Sequence, residues 1–223
     1  MLFNHTFKNI KRVREIIGVL MKYGLEDIIV NSTLRNFVSE RKRLSWSRKN
    51  KPVFQYSRWE RIRMVCEELG PTFVKLAQVM SNRPDMLPAP LIEELERLQD
   101  NVAPFPYEDV KKIVEEECGK PIDEVYESFN EKPLASASIG QVHTAVLMNG
   151  QKVVVKVQRP NVRGLVSRDL IILIDAVKRS ERYLEKQGII NAMDFVKSFE
   201  RSMNKELDYR TEARNLEKFR KLY

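Results

Sequence analysis

The chain reads as an α+β protein: a helical N-terminal extension on a small lobe made of a short antiparallel sheet plus helices. Two observations carry that reading. Between Pro133 and Pro160 the residues PLASASIGQVHTAVLMNGQKVVVKVQRP parse as strand, small-residue loop, strand, hairpin, strand. On either side of this block lie segments of helical pattern, several before it and two long ones after it.

The elements follow in order. Residues 1–36 read as two helices separated near Gly24; the first, about Thr6 to Tyr23, places Phe7, Ile10, Val13, Ile17 and Leu20 on one face. Residues 38–57 are a basic linker without pattern. A long helix is expected from Ser57 to about Ser81, then a turn at Arg83-Pro84-Asp85-Met86-Leu87-Pro88, then a helix over Leu91 to Gln99. Ala103-Pro104-Phe105-Pro106 breaks the pattern. Tyr107 starts the next helix, with Glu108 and Asp109 at its positive end, and Gly119-Lys120-Pro121 stops it. Ile122 to Phe129 leads into the sheet, where Asn149-Gly150 predicts a two-residue type I′ hairpin with positive φ at both residues. After Pro160, Val166 to Gln187 and Ala192 to Leu222 read as two long helices around Gly188. The expected divisions are 1–56, a basic helical region; 57–130, a helical extension; and 131–223, the small lobe.

One residue in the strand block asks for a reason. Val142, Thr144 and Val146 alternate before the hairpin and Val153, Val155 and Val157 after it, yet Lys156 stands inside the last strand. If the strand turns it inward, its ammonium needs a partner, because an unpaired buried charge is costly. A kinase-like small lobe supplies two: a nucleotide phosphate and a carboxylate. Ala135 to Lys156 spans 21 residues, the separation expected between a phosphate-covering loop and the lysine of the third strand. The bland alternatives are a tight turn and a lysine on the solvent face.

The loop Ala135-Ser136-Ala137-Ser138-Ile139-Gly140-Gln141 is not the G-x-G-x-x-G of ordinary protein kinases. Together with the V-K-V-Q-R-P strand at Val155–Pro160 and Glu206-Leu207-Asp208-Tyr209-Arg210-Thr211-Glu212-Ala213, it resembles the UbiB (activity-of-bc-one-complex) atypical kinase-like family, linked to ubiquinone biology. A fourth mark, K-x-G-Q, stands as Lys75-Leu76-Ala77-Gln78, with Ala77 where the family usually has glycine. The resemblance runs from about Leu69 to Tyr223. It implies ATP as ligand, with Ala135 to Gln141 and Lys156 as its binding residues, and Lys156, Glu206, Asp208 and Lys75 as the catalytic set. It also implies a regulatory segment, Lys75 and Gln78, that packs over the nucleotide site and occludes a protein substrate. With Glu206 and Asp208 on one helix, about 200° apart around its axis, Glu206 is assigned to Lys156. Asp208, with or without Glu206, is assigned to Lys75.

Charge is uneven. Residues 1–63 hold 15 Lys/Arg against 5 Asp/Glu, a net of +10 in a chain of net +8. A basic amphipathic first helix suggests contact with an anionic membrane surface, and hence a cytoplasmic protein peripheral at the inner face of a membrane; docking of that stripe on the domain is the competing reading. Nucleic acid is the weaker third: Trp46, Phe54, Tyr56 and Trp59 interleave with basic residues, without a recognisable motif. No run approaches the ~18 apolar residues of a membrane span, the first residues lack a signal-peptide core, and Cys66 and Cys118 match neither a metal spacing nor a disulfide framework.

Phosphoryl transfer needs a catalytic-loop base and a metal-holding aspartate. Neither His5 nor His143 opens an H-R-D, and Asp194-Phe195-Val196 lacks the glycine of D-F-G. The expectation is therefore that the large lobe is absent, that Mg2+ binds only with that lobe, and that the chain, a fragment or a truncated product, does not turn over ATP alone. Two functions follow: the nucleotide-binding part of an atypical kinase or ATPase supporting quinone or lipid metabolism, with proteins of those pathways as partners, or a non-catalytic pseudokinase-like scaffold at a membrane.

Overall fold

A computed structural model of the chain describes residues 9–30, 32, 34, 37, 52–98, 103–186 and 191–222. Residues 38–51 of the linker expected over 38–57, with Trp46, the helix start with Phe7, and the Gly188 break lie outside them. The helices are α1 (Ile10–Lys22), α2 (Glu26–Val30), α3 (Arg58–Leu69), α4 (Pro71–Ser81), α5 (Ala89–Glu96), α6 (Tyr107–Cys118) and α7 (Ile122–Val125). The strands are β1 (Tyr126–Phe129), β2 (Ala135–Ser136), β3 (Gly140–Leu147) and β4 (Lys152–Gln158), followed by α8 (Val162–Lys186), α9 (Ala192–Glu206) and α10 (Tyr209–Leu222). Two compact units result, residues 1–99 with 164–223, and residues 100–163. They cut across the expected boundaries at 56 and 130.

The first unit is helical. Its core gathers Val13, Ile16, Ile17 and Leu20 of α1, Leu25, Ile29, Val65 and Leu69, and Ile172 of α8. The apolar stripe of α1 thus meets protein, and the docked reading of that helix holds. Arg12, one of the basic residues of α1, is only 6% exposed. Its guanidinium forks onto Asp169 of α8 (Nε–Oδ1 2.7 Å, Nη2–Oδ2 3.0 Å) and donates to the Leu69 carbonyl at 2.6 Å. Burial forces this pairing, since neither charge reaches water.

The single helix expected over Ser57–Ser81 is two. Ser57 starts α3 with a reciprocal capping box, its hydroxyl accepting from the Glu60 amide while the Glu60 carboxylate accepts from its own. Gly70 ends α3 at φ 91, a backbone state that side chains with Cβ rarely take, and Pro71 opens α4 with a pre-set φ. The Ala192–Leu222 helix is also two, because Asp208 caps α10. Its carboxylate accepts from the Thr211 hydroxyl at 2.7 Å and from the Arg210 and Thr211 amides at 3.2 and 3.3 Å.

The second unit is a sheet covered on one face. β1 and β2 both pair antiparallel with β3, and β3 with β4. Phe105, Val110, Val114, Ile122 and Val157 form the core under α6. The β3–β4 turn departs from type I′: Gly150 has positive φ (80) and Asn149 does not. Leu147 accepts from the Gly150 amide at 2.8 Å and donates to the Gln151 carbonyl at 2.9 Å. A three-residue loop over Met148–Gly150, with glycine alone in the left-handed region, matches the twist of the strands as well as the two-residue form does.

Candidate functional site

In the sheet unit, alternation divides β3 and β4 between two faces. Gln141, His143 and Ala145 turn to the covered side and are buried; so is Val157, with Val155 partly so. Val142 sits opposite Lys156 and Thr144 opposite Val154, so these four share the uncovered face. Val154 is 64% exposed there. Lys156 is exposed too, not turned inward: it shares the parity of Lys152 and Val154 rather than that of Val153, Val155 and Val157. The period-2 rule alone gives this face, and with it Val142 and Val154, which motif reading passed over.

The small-residue loop is a closed turn. Ala135 and Ser136 pair with Val142 and Gln141. The Ala137 amide donates to the Gly140 carbonyl at 2.7 Å, and the Arg159 amide to the Ile139 carbonyl at 2.8 Å. Ser138 and Ile139 are buried. Gly140 and Gln141 belong to β3 and not to the loop.

Gln141, expected at the nucleotide, faces the other way. At 1% exposure its amide pairs with the backbone of Phe105, accepting from the N–H at 3.0 Å and donating to the carbonyl at 3.3 Å. The same nitrogen lies 3.0 Å from His143 Nε2. An amide nitrogen only donates, so Nε2 accepts, the proton sits on Nδ1, and Nδ1–H donates to the Asn130 carbonyl at 2.7 Å. The G-Q-V-H segment therefore pins Ala103–Pro106 and β1 to the sheet. Arg159 adds a bond to the Ala103 carbonyl (2.8 Å) and lies over the Phe105 ring.

In the helical unit, Lys75 of α4 is ion-paired with Glu206, the last residue of α9. Gln78 donates to the Leu98 carbonyl at 3.1 Å, tying α4 to the end of α5. Asp208 does not face Lys75. Glu206 ends one helix and Asp208 caps the next, so the 200° argument, which needs one continuous helix, does not apply. The Thr211 hydroxyl, with the two amides, holds the Asp208 carboxyl below its ordinary range. Ala77 is buried at 3% exposure. The structure thus brings Lys75 and Glu206 together, leaves Asp208 to its own helix, and sets Lys156 among Val142, Thr144 and Val154 in the other unit.

Compared with known proteins, residues 97–223 match the ABC1 atypical kinase-like domain. The chain belongs to that family. A probable protein kinase UbiB of Pseudomonas fluorescens (strain Pf0-1) is 37% identical over 207 residues, covering 92% of this chain and 39% of that protein. Its namesake in Cellvibrio japonicus (strain Ueda107) is 42% identical over 164 residues, 74% of this chain and 30% of the relative. That of Aliivibrio fischeri (strain MJ11) is 35% identical over 218 residues, 97% and 40%. A solved structure, the Rv3197–erythromycin complex from Mycobacterium tuberculosis, aligns with a TM-score of 0.44 at 32% identity, covering 71% of this chain and 40% of that one. The chain spans roughly two fifths of the ABC1 relatives it matches over most of its length.

Proposed function

We propose that this chain is the nucleotide-binding portion of a UbiB-like atypical kinase or ATPase, and that ATP lies on the uncovered face of the sheet. The observation that carries the reading is the shared face: Val142 and Val154, the latter 64% exposed, flank Lys156 in register. A flat apolar base covers the two valines and gains by removing them from water. The Lys156 ammonium, on the same face, meets the phosphates as a point charge. The closed turn between β2 and β3 lies beyond, stiffer than a glycine loop, so Ala137→Gly alters nucleotide affinity or selectivity. Glu206 and Lys75 act as the regulatory pair, with Gln78 holding α4 in place. Among the described residues no three His, Cys, Asp or Glu side chains gather to hold a metal.

The cellular role proposed with this is support of quinone or lipid metabolism, following the family resemblance. No helix among the described residues is long and apolar enough to cross a membrane. Contact with an anionic bilayer at the cytoplasmic face rests on the basic excess of residues 1–63, since the apolar stripe of α1 is spent on the core.

Titration of the full chain with a fluorescent ATP analogue tests the site. Lys156→Met and Val154→Asp each weaken binding about tenfold, roughly 1.4 kcal/mol, and neither shifts the melting temperature, because both residues are exposed. Unchanged affinity in both variants overturns the assignment.

A further inference from the structure

We infer that Arg12 is a positioning residue for Lys75: it clamps the corner between α3 and α4 and so sets where α4 presents its lysine to Glu206. Arg12 touches neither partner of that ion pair. Its contacts are the Asp169 carboxylate, the Leu69 carbonyl at 2.6 Å, the Glu15 carboxylate of its own helix (Nη1–Oε1 2.8 Å), and the ring of Phe73, 5.9 Å from the guanidinium carbon.

The Asp169 fork by itself would neutralise the buried charge. The Leu69 contact goes further, onto the last residue of α3, and the ring contact goes onto the first turn of α4. Between them stands Gly70 at φ 91. A glycine corner has more accessible backbone states than any other, so the angle between α3 and α4 needs an outside constraint, and Arg12 supplies it from both sides. Lys75 lies four residues beyond Pro71, about 6 Å along the α4 axis. Loosening the corner therefore displaces the Lys75 ammonium from Glu206 while α4 itself stays helical. A charged, five-donor fork is needed to reach Asp169, the Leu69 carbonyl and Glu15 at once, and lysine cannot reproduce it.

The consequence for ATP rests on the regulatory role of Lys75 proposed above, but the contact can be read without nucleotide. Amine acylation of the full chain by an N-hydroxysuccinimide ester, followed by peptide mass spectrometry, gives the relative reactivity of Lys75. Lys112, on the solvent side of α6 with a side chain 72% exposed, serves as internal reference. Glu206→Gln frees Lys75 and fixes the scale. The double variant Arg12→Met/Asp169→Leu removes the clamp without leaving a buried charge, and Lys75 labelling is expected to rise several-fold, towards the Glu206→Gln value, with Lys112 unchanged. A double variant that melts as the wild type does and labels Lys75 at the wild-type rate overturns the inference. Should that variant fail to fold, Arg12→Lys decides. It keeps the charge on Asp169 and loses the Leu69 and Phe73 contacts, so raised labelling supports the clamp and wild-type labelling refutes it. Absence of ATP binding in every protein, wild type included, overturns the proposed function and leaves this result standing.

Discussion

Replacing Gln141 by leucine should destabilise the sheet unit by about 3–6 kcal/mol. Leucine is close in volume, so little cavity cost enters. What changes is the set of partners: the Phe105 N–H, the Phe105 carbonyl and His143 Nε2 each lose a bond. Phe105 is 7% exposed and His143 is fully buried. A buried polar group left unmade costs about 1–3 kcal/mol, and three of them give about 3–9 kcal/mol. The lower half applies because Ala103–Pro106 is a surface connection that can shift and admit water. Against a typical domain stability of about 5–15 kcal/mol the loss is large. Hydrogen exchange resolved over residues 103–163 is the suitable assay, since it separates this unit from the helical one. The Phe105 amide and the β3–β4 amides should lose protection together. If Gln141 instead touched nucleotide, the variant would keep its protection and lose ATP affinity; that result, or a change under about 0.5 kcal/mol, would refute the reasoning.

Three further outcomes are expected. Gly150→Ala should cost about 1–2 kcal/mol, because φ 80 is a left-handed state that Cβ opposes, whereas Asn149→Ala should cost about 0.5–1 kcal/mol in urea melts, through the bond that Asn149 Oδ1 accepts from the Gln151 amide at 3.1 Å. The α10 cap should be intact above the ordinary aspartate range, about pH 3.9; because the Asp208 pKa is lowered in the fold, its contribution fades only as pH falls through that lower value, an NMR titration step that Asp208→Asn removes. Burial pushes the Cys66 thiol up to about 12, so at pH 8 an alkylating reagent should modify exposed Cys118 and spare Cys66 until the protein unfolds.

Local signals made much of this fold legible. Ser57 marked a helix start, the break at Pro106 before Tyr107 another, and Gly119 a stop, and each holds. Valine alternation and the Asn149-Gly150 hairpin signal placed the sheet and its lysine. The misses divide by cause. Gly70-Pro71 is a turn signal in plain sight, yet the apolar run around it read as one helix. Asp208, three residues before Thr211, is an N-cap pattern obscured by its place in a family motif. The burial expected of Lys156 was an error of parity, correctable from the strand alone. Arg12 and Asp169 are another matter: 157 residues apart, they are brought together only by tertiary packing, and no window of sequence contains both.

The border strand β4 has one more bearing. It hydrogen-bonds β3 on one side, and on its uncovered face sets Lys152 and Lys156 to either side of Val154. Two like charges spaced along a border strand repel the same strand of a second molecule, which keeps sheets from joining edge to edge into aggregates. The lysine that serves chemistry in the proposed function is thus also a guard of colloidal behaviour. Neutralising it together with Lys152 would leave Val142 and Val154 on an uncharged rim, where the cost would be counted in solubility before it was counted in activity.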